Sequence, residues 1–310
     1  MKKILLAAGL ICVMLSLAAE GRWEEEPYVP ADINRTLDAD TDGIVYINNV
    51  AGWIKIQSWD RAQVKVKGEL GSAVKDFIFD NRGRKTDIRV VLPKNLKDWS
   101  RNYNAYLTIT VPENSEVDIN TVSASIEVND VQRELNLKSI SGSIDIDSDC
   151  EYLTVNTVSG SINLTGDTET IRMETVSGSI DIKGITTELR GNSVSGSLKY
   201  TGGAIELLNF KTTSGSINAF CQPQRKARID LNSLSGSVDL IMPRDVEARF
   251  TLKSFSGSLD YIRFIREVDK LEDDAMVTKN GHREVRFVSG SGDARITVES
   301  FSGHVSLKIQ

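Results

Sequence analysis

From Ser123 almost to its end the chain repeats one phrase, Ser-x-Ser followed by an aliphatic residue. It begins as Ser123-Ala124-Ser125-Ile126. It becomes Ser-Gly-Ser plus Ile, Leu or Val from Ser141, Ser159, Ser177, Ser195, Ser214, Ser235 and Ser256. A degenerate copy, Ser302-Gly303-His304-Val305, closes the series. The first five starts are 18 residues apart, and the next steps are 19, 21 and 21. A unit this short cannot bury an apolar face alone, so copies must stack into a solenoid. Such chains present extended surfaces rather than pockets.

Aligned on the first Ser, the copies show which positions face inward. Six residues before it stand Leu135, Leu153, Ile171, Leu189, Leu208, Ile229, Phe250 and Ile296. Three after it stand Ile144, Ile162, Ile180, Leu198, Ile217, Val238, Leu259 and Val305. Positions four before and five after are mostly apolar too, with polar residues between, the period of a half-buried strand. The parity slips once per copy. A Ser or Thr two before the motif (Ser139, Thr157, Thr175, Ser193) is followed by an aliphatic or aromatic residue (Ile140, Val158, Val176, Val194). A one-residue slip marks a bend. The sets Ser141-Gly142-Ser143, Ser159-Gly160-Ser161, Ser177-Gly178-Ser179 and Ser195-Gly196-Ser197 are therefore structural corners, their Gly serving positive φ or close backbone approach. The predicted fold is all-β: a single-chain β-solenoid of 18–21-residue coils.

The ends differ from the repeat. Lys2, Lys3 and the apolar run from Ile4 to Leu17 read as a signal peptide over 1–19, shorter than the ~20 apolar residues of a spanning helix. Cys12 lies in mid-run, which argues against a lipoprotein site. Residues 20–41 read as a linker and 42–310 as the solenoid domain, with repeat core 117–261, charged insertion 263–284 and last coil 285–310. Val45, Ile47, Ile54 and Ile56 form a distant first copy with Ala51 in place of the first Ser. An N-terminal β excursion follows: strands at Phe77–Phe79 and Ile88–Leu92 about a turn at 80–83, and Leu107–Val111 ending at Pro112. With the insertion, it supplies the atypical units that hide open solenoid edges. Ser289-Gly290-Ser291 lies too near Ser302 for a coil and reads as a turn.

Chemistry is sparse. The net charge of −6 gives no electrostatic footprint for nucleic acid. The only histidines are His282 and His304, so the many serines lack the base a nucleophile needs. Cys150 and Cys221 fall four coils apart, roughly 19 Å at about 4.8 Å per coil, too far for a disulfide. An outward column, Asp145, Asn163, Asp181, Lys199, Asn218, Asp239 and Asp260, is interrupted by amides and a lysine. It reads as a solvated face rather than a Ca²⁺ ladder. Trp99, Arg101 and Tyr103, on a polar loop with Asn102 and Tyr106, are the candidate carbohydrate contacts. The alternative for Trp99 and Tyr106 is to cap the core. No catalytic, metal or cofactor motif is expected.

The repeated Ser-Gly-Ser-Ile-x-Ile, the opening stretch from Asn49 to Asp60 and the segment from Leu107 to Pro112 together resemble the bacterial putative-adhesin family over 42–310. The resemblance implies an exported β-strand-repeat protein and carries no catalytic residue. The expected role is non-enzymatic adhesion or scaffolding in the cell envelope, most simply periplasmic, with an envelope protein or polysaccharide as partner. The rivals are a β-helix enzyme acting on polysaccharide, through two suitably spaced carboxylates, and a periplasmic partner-binding module in envelope sensing.

Overall fold

Two parallel ladders of strands, joined at a corner in every coil, make up the body of the computed structural model, which describes residues 32–94, 102–267, 276–279 and 282–310. The proposed signal peptide, Trp99, Arg101 and the turn at 280–281 lie outside the described residues. In the Ser159 coil, Cys150–Thr157 runs along the first ladder and Ile162–Thr165 along the second. Neighbouring coils stack in register: Leu135 on Leu153 on Ile171 on Leu189, and Ile144 on Ile162 on Ile180 on Leu198. These columns are almost wholly buried and run into one core. Where a column carries one large residue, a small neighbour makes room. A Cβ on Gly191 would overlap the Phe210 ring, and Tyr200 stacks on Ala219.

The corner has one geometry throughout. The hydroxyl two before the motif accepts the N–H of its Gly: Ser139 from Gly142 (3.0 Å), Thr157 from Gly160 (3.1 Å), Thr175 from Gly178 (3.0 Å) and Ser193 from Gly196 (2.7 Å). Of the two reasons for Gly here, close approach is the one that operates. These glycines have no positive φ, and a Cβ on Gly178 would overlap the carbonyl oxygen of Gly160 in the next coil.

The order of coils departs from the order of the sequence at both ends. The last coil, Ala294–Ser300 with Val305–Ile309, does not close the stack. It lies between the Ser235 coil and the Ser256 coil, pairing with Ile217–Ser233 and Val238–Met242 on one side and with Ala248–Ser254 and Leu259–Asp260 on the other. The first coil, Ile44–Asn49 with Gly52–Trp59, is likewise enclosed. It lies between the Ser123 coil and a coil that the excursion itself forms from Lys85–Val91 and Ala105–Pro112. Neither chain-end coil is an open end.

Antiparallel strands finish the edges. Asp32–Asp38 pairs with Gln63–Leu70, which pairs with Ala105–Pro112, so the stretch expected as a linker over 20–41 holds an edge strand from residue 32. Asp76–Arg82 covers Lys85–Val91. The strand therefore runs through residue 82, and the turn sits at 83–84 rather than 80–83. At the other end His282–Ser289 pairs antiparallel with Ala248–Ser254 and with Met276–Lys279. Residues 285–289 thus belong to this cap rather than to the last coil. A short helix, Ile262–Glu267, brings Phe264 into a cluster with Phe250 and Phe287, ring centroids 4.5–6.1 Å apart, that seals the core. The turn at 290–292 has Gly290 and Gly292 at φ 60° and 65°. Cys150 and Cys221 are buried and unpaired, and burial pushes the Cys221 thiol up to about 12, which suppresses its thiolate.

Candidate functional site

The corner serines are consumed by the fold. Ser159 donates both its N–H (2.9 Å) and its Oγ (3.2 Å) to the carbonyl of Ile140 in the adjacent coil, and Ser177 and Ser195 repeat the pattern on Val158 and Val176. Of the second corner serines, Ser143 Oγ donates to Ser125 Oγ at 3.3 Å, and Ser197 Oγ accepts the N–H of Ser216 at 3.2 Å. One serine does reach a histidine: Ser258 Oγ lies 2.6 Å from His304 Nδ1, because His304 replaces a serine in this column. Among the described residues no carboxylate hydrogen-bonds that ring. The pair therefore lacks the third group that orients a catalytic base.

What the corner exposes is apolar. The residue between the buried hydroxyl and the first serine points outward in each coil. Up the stack this position reads Val122, Ile140, Val158, Val176, Val194, Thr213, Leu234, Phe301 and Phe255. It is half-buried in the middle and exposed at the C-terminal end, where Leu234 is 51 % exposed. Phe255 and Phe301 stack face to face there at 4.5 Å, because the inserted last coil sets one on the other. At about 4.8 Å per coil the ridge runs some 40 Å. The parity slip in the sequence marked these positions, yet gave a bend rather than a surface.

The polar-loop candidates are only partly placed. Tyr103 is half-buried, and Trp99 and Arg101 lie outside the described residues. Tyr106 does not cap the core. It faces outward, 6.0 Å from Trp53, and its hydroxyl accepts from Asn104 Nδ2 at 3.2 Å. Trp53, 39 % exposed, is the aromatic that sequence reading missed, although its outward parity between Gly52 and Ile54 was legible.

The outward carboxylate column relieves its own repulsion. Asn163 donates to Asp145 (2.7 Å), Lys199 lies 3.6 Å from Asp181, and Lys308 pairs with Asp239 at 2.8 Å. Asp239 and Asp260 are not neighbours as expected, since Ser306 of the inserted coil separates them. Among the described residues no three His, Cys, Asp or Glu side chains are grouped to hold a metal ion. A cleft of about 430 Å³ near residues 222–225 and 243–247 holds Asp293 and Glu247. Its hydrogen bond from Arg225 (2.8 Å) holds the Asp293 carboxyl below its usual range, the reverse of a general acid, and Glu247 accepts from Ser291 at 2.7 Å.

Several solved structures resemble this chain at low identity. A lipid-binding protein candidate of Parabacteroides distasonis is 15 % identical, with a TM-score of 0.43, over 90 % of this chain and 96 % of its own. A putative adhesin of Parabacteroides merdae is 11 % identical (TM-score 0.42, 90 % and 96 %), and one of Bacteroides fragilis 11 % (TM-score 0.36, 90 % and 97 %). No curated protein is significantly similar. The Toastrack DUF4097 family model matches residues 46–307, from the first coil to the last, and the chain belongs to that family.

Proposed function

We propose that the protein is a non-enzymatic binding protein of the cell envelope, exported by its N-terminal segment, which presents its solenoid surface to an elongated envelope partner. The observation that carries this reading is the apolar corner ridge. It faces outward in every coil, is apolar at every level but that of Thr213 and ends in a stacked aromatic pair, where soluble proteins avoid long exposed apolar strips unless something covers them. The corner serines are committed to backbone carbonyls, which supports binding over catalysis. Among the described residues no helix is long and apolar enough to cross a membrane. The name adhesin given to similar structures agrees with such a role without identifying a ligand.

The test uses the full chain with a C-terminal tag. Fractionation is expected to find it outside the cytoplasm, and purified protein is expected to bind isolated envelopes saturably. Leu234→Ser/Phe255→Ser/Phe301→Ser should weaken that binding about a hundredfold or more, since three apolar contacts of roughly 1 kcal/mol or more each are removed. Incubation with a panel of polysaccharides should generate no new reducing or unsaturated ends. Cleavage of any of them, or envelope binding unchanged in the triple variant, would contradict the reading.

A further inference from the structure

We infer that the outward face of the first ladder, at the C-terminal end of the stack, binds an anionic polysaccharide through a row of stacked arginines. In a parallel ladder the same position of successive coils lies about 4.8 Å apart, and like charges set directly opposite each other destabilise the sheet. At some steps the chain sets opposite charges against each other instead. Lys55 meets Glu127 at 2.7 Å, and Lys253 meets Glu299 at 2.8 Å. Two-residue like-charge steps occur at Glu116–Glu134, Glu127–Asp145 and Arg172–Arg190. The longest run among the described residues is Arg228 on Arg295 on Arg249, three guanidinium groups in consecutive coils.

The row exists only because the last coil is inserted. Arg295 comes from that coil, and it separates Arg228 from Arg249 by one step on each side. Arg228 is committed to Asp230, which is itself almost buried. Arg295 and Arg249 are exposed, and among the described residues neither has an ion-pair partner. The acids nearest along their strands are already engaged, Asp293 by Arg225 and Glu247 by Ser291. Beside the row stand the half-buried Thr297 and Thr251, which add hydroxyl donors, and opposite Thr251 lies Arg286, itself paired with Glu284. Guanidinium groups recognise sulfate and carboxylate through paired N–H donors, and hydroxyls extend that set.

The geometry favours a polymer over a small anion. The face is open, so one small anion would keep its water, whereas a chain with repeated charges engages successive arginines at high effective concentration. Net charge does not separate a polysaccharide from nucleic acid, since the acidic chain repels both polyanions alike away from this patch. The choice of a polysaccharide rests on the envelope location proposed above; the arginine row does not.

The experiment measures binding of the full chain to heparin, polygalacturonate and neutral dextran by titration at two salt concentrations. Arg249→Gln/Arg295→Gln is compared with Lys138→Gln/Lys183→Gln, which removes the same charge from exposed positions elsewhere. Arg228 is left in place because its loss would strand Asp230. Wild type should bind heparin, polygalacturonate or both, the first assigning sulfate and the second carboxylate, and should not bind dextran. The arginine variant should bind about tenfold or more weakly with a flatter salt dependence, while the lysine variant changes less than about twofold. Equal losses in the two variants, or dextran binding as tightly, would overturn the row as the site. Tighter binding of single-stranded DNA or phosphatidylglycerol vesicles than of either acidic polysaccharide would overturn the occupant. So would a cytoplasmic location with arginine-dependent heparin binding intact, an outcome that separates failure of the envelope reading from failure of the row.

Discussion

Ile180→Asp is expected to lower stability by about 4 kcal/mol or more, while Asp181→Ala next to it stays within about 1 kcal/mol of wild type. Ile180 is 1 % exposed and lies between Ile162 and Leu198 in the second ladder's inner column. A carboxylate there has no partner and leaves a gap in the aliphatic stack. Asp181 points outward. One of its oxygens is buried without a hydrogen bond, and the other lies 3.6 Å from a largely exposed Lys199, so little is lost with it. Thermal unfolding of the two variants measures this, with a difference of about 10 °C expected for a chain of this size. Equal shifts would mean that inward and outward are wrongly assigned.

The second large effect belongs to the corner glycines. Gly178→Ala should cost about 3 kcal/mol or more, because its Cβ would overlap the Gly160 carbonyl, and neither backbone can yield. The Gly178 corner is tied to the next coil by Ser177 N–H on the Val158 carbonyl at 2.9 Å, and each glycine N–H is held within its own coil, Gly178 by Thr175 Oγ1 at 3.0 Å and Gly160 by Thr157 Oγ1 at 3.1 Å. Gly203→Ala is the comparison. The nearest atom to its Cβ would be Cγ1 of the exposed Ile185 at 3.3 Å, a side chain free to shift, so urea unfolding should show a change of about 1 kcal/mol at most. If Gly178→Ala proves as mild, the corners do not approach as closely as described.

Much of the fold was legible because the 18-residue period fixes register. Leu135 and Leu153, or Ile144 and Ile162, must meet when coils stack, and the hydroxyl at Ser139 or Thr157 must meet the corner Gly. The order of the coils was not legible. Every coil presents the same aliphatic columns above and below, so side-chain pattern cannot say whether Phe250 sits on Ile229 or on Ile296. Connection length decides it: the stretch between Asp260 and Ala294 is long enough to step back over one coil. The candidate surfaces inherit that gap. Leu234, Phe255 and Phe301 were visible as a parity slip, but the stacking of Phe255 on Phe301 and of Arg295 between Arg228 and Arg249 depends on the insertion. The meeting of Trp53 with Tyr106 was not legible, because it depends on Gly52–Trp59 pairing with Ala105–Pro112, a strand about 50 residues away in sequence.

Both proposed contact surfaces therefore stand on one claim, that the last coil lies inside the stack, and cysteine pairs on the outward face test it. Asn232, Glu299 and Lys253 occupy one column in that spatial order. Adjacent coils place Cα atoms about 4.8 Å apart, within reach of a disulfide, and alternate coils about 9.6 Å apart, beyond it. Mild oxidation of the folded monomer, followed by peptide mapping, should give a crosslink in Asn232→Cys/Glu299→Cys and none in Asn232→Cys/Lys253→Cys. A crosslink in the second pair and not the first would put the coils in sequence order. It would contradict the insertion and, with it, the aromatic pair and the arginine row.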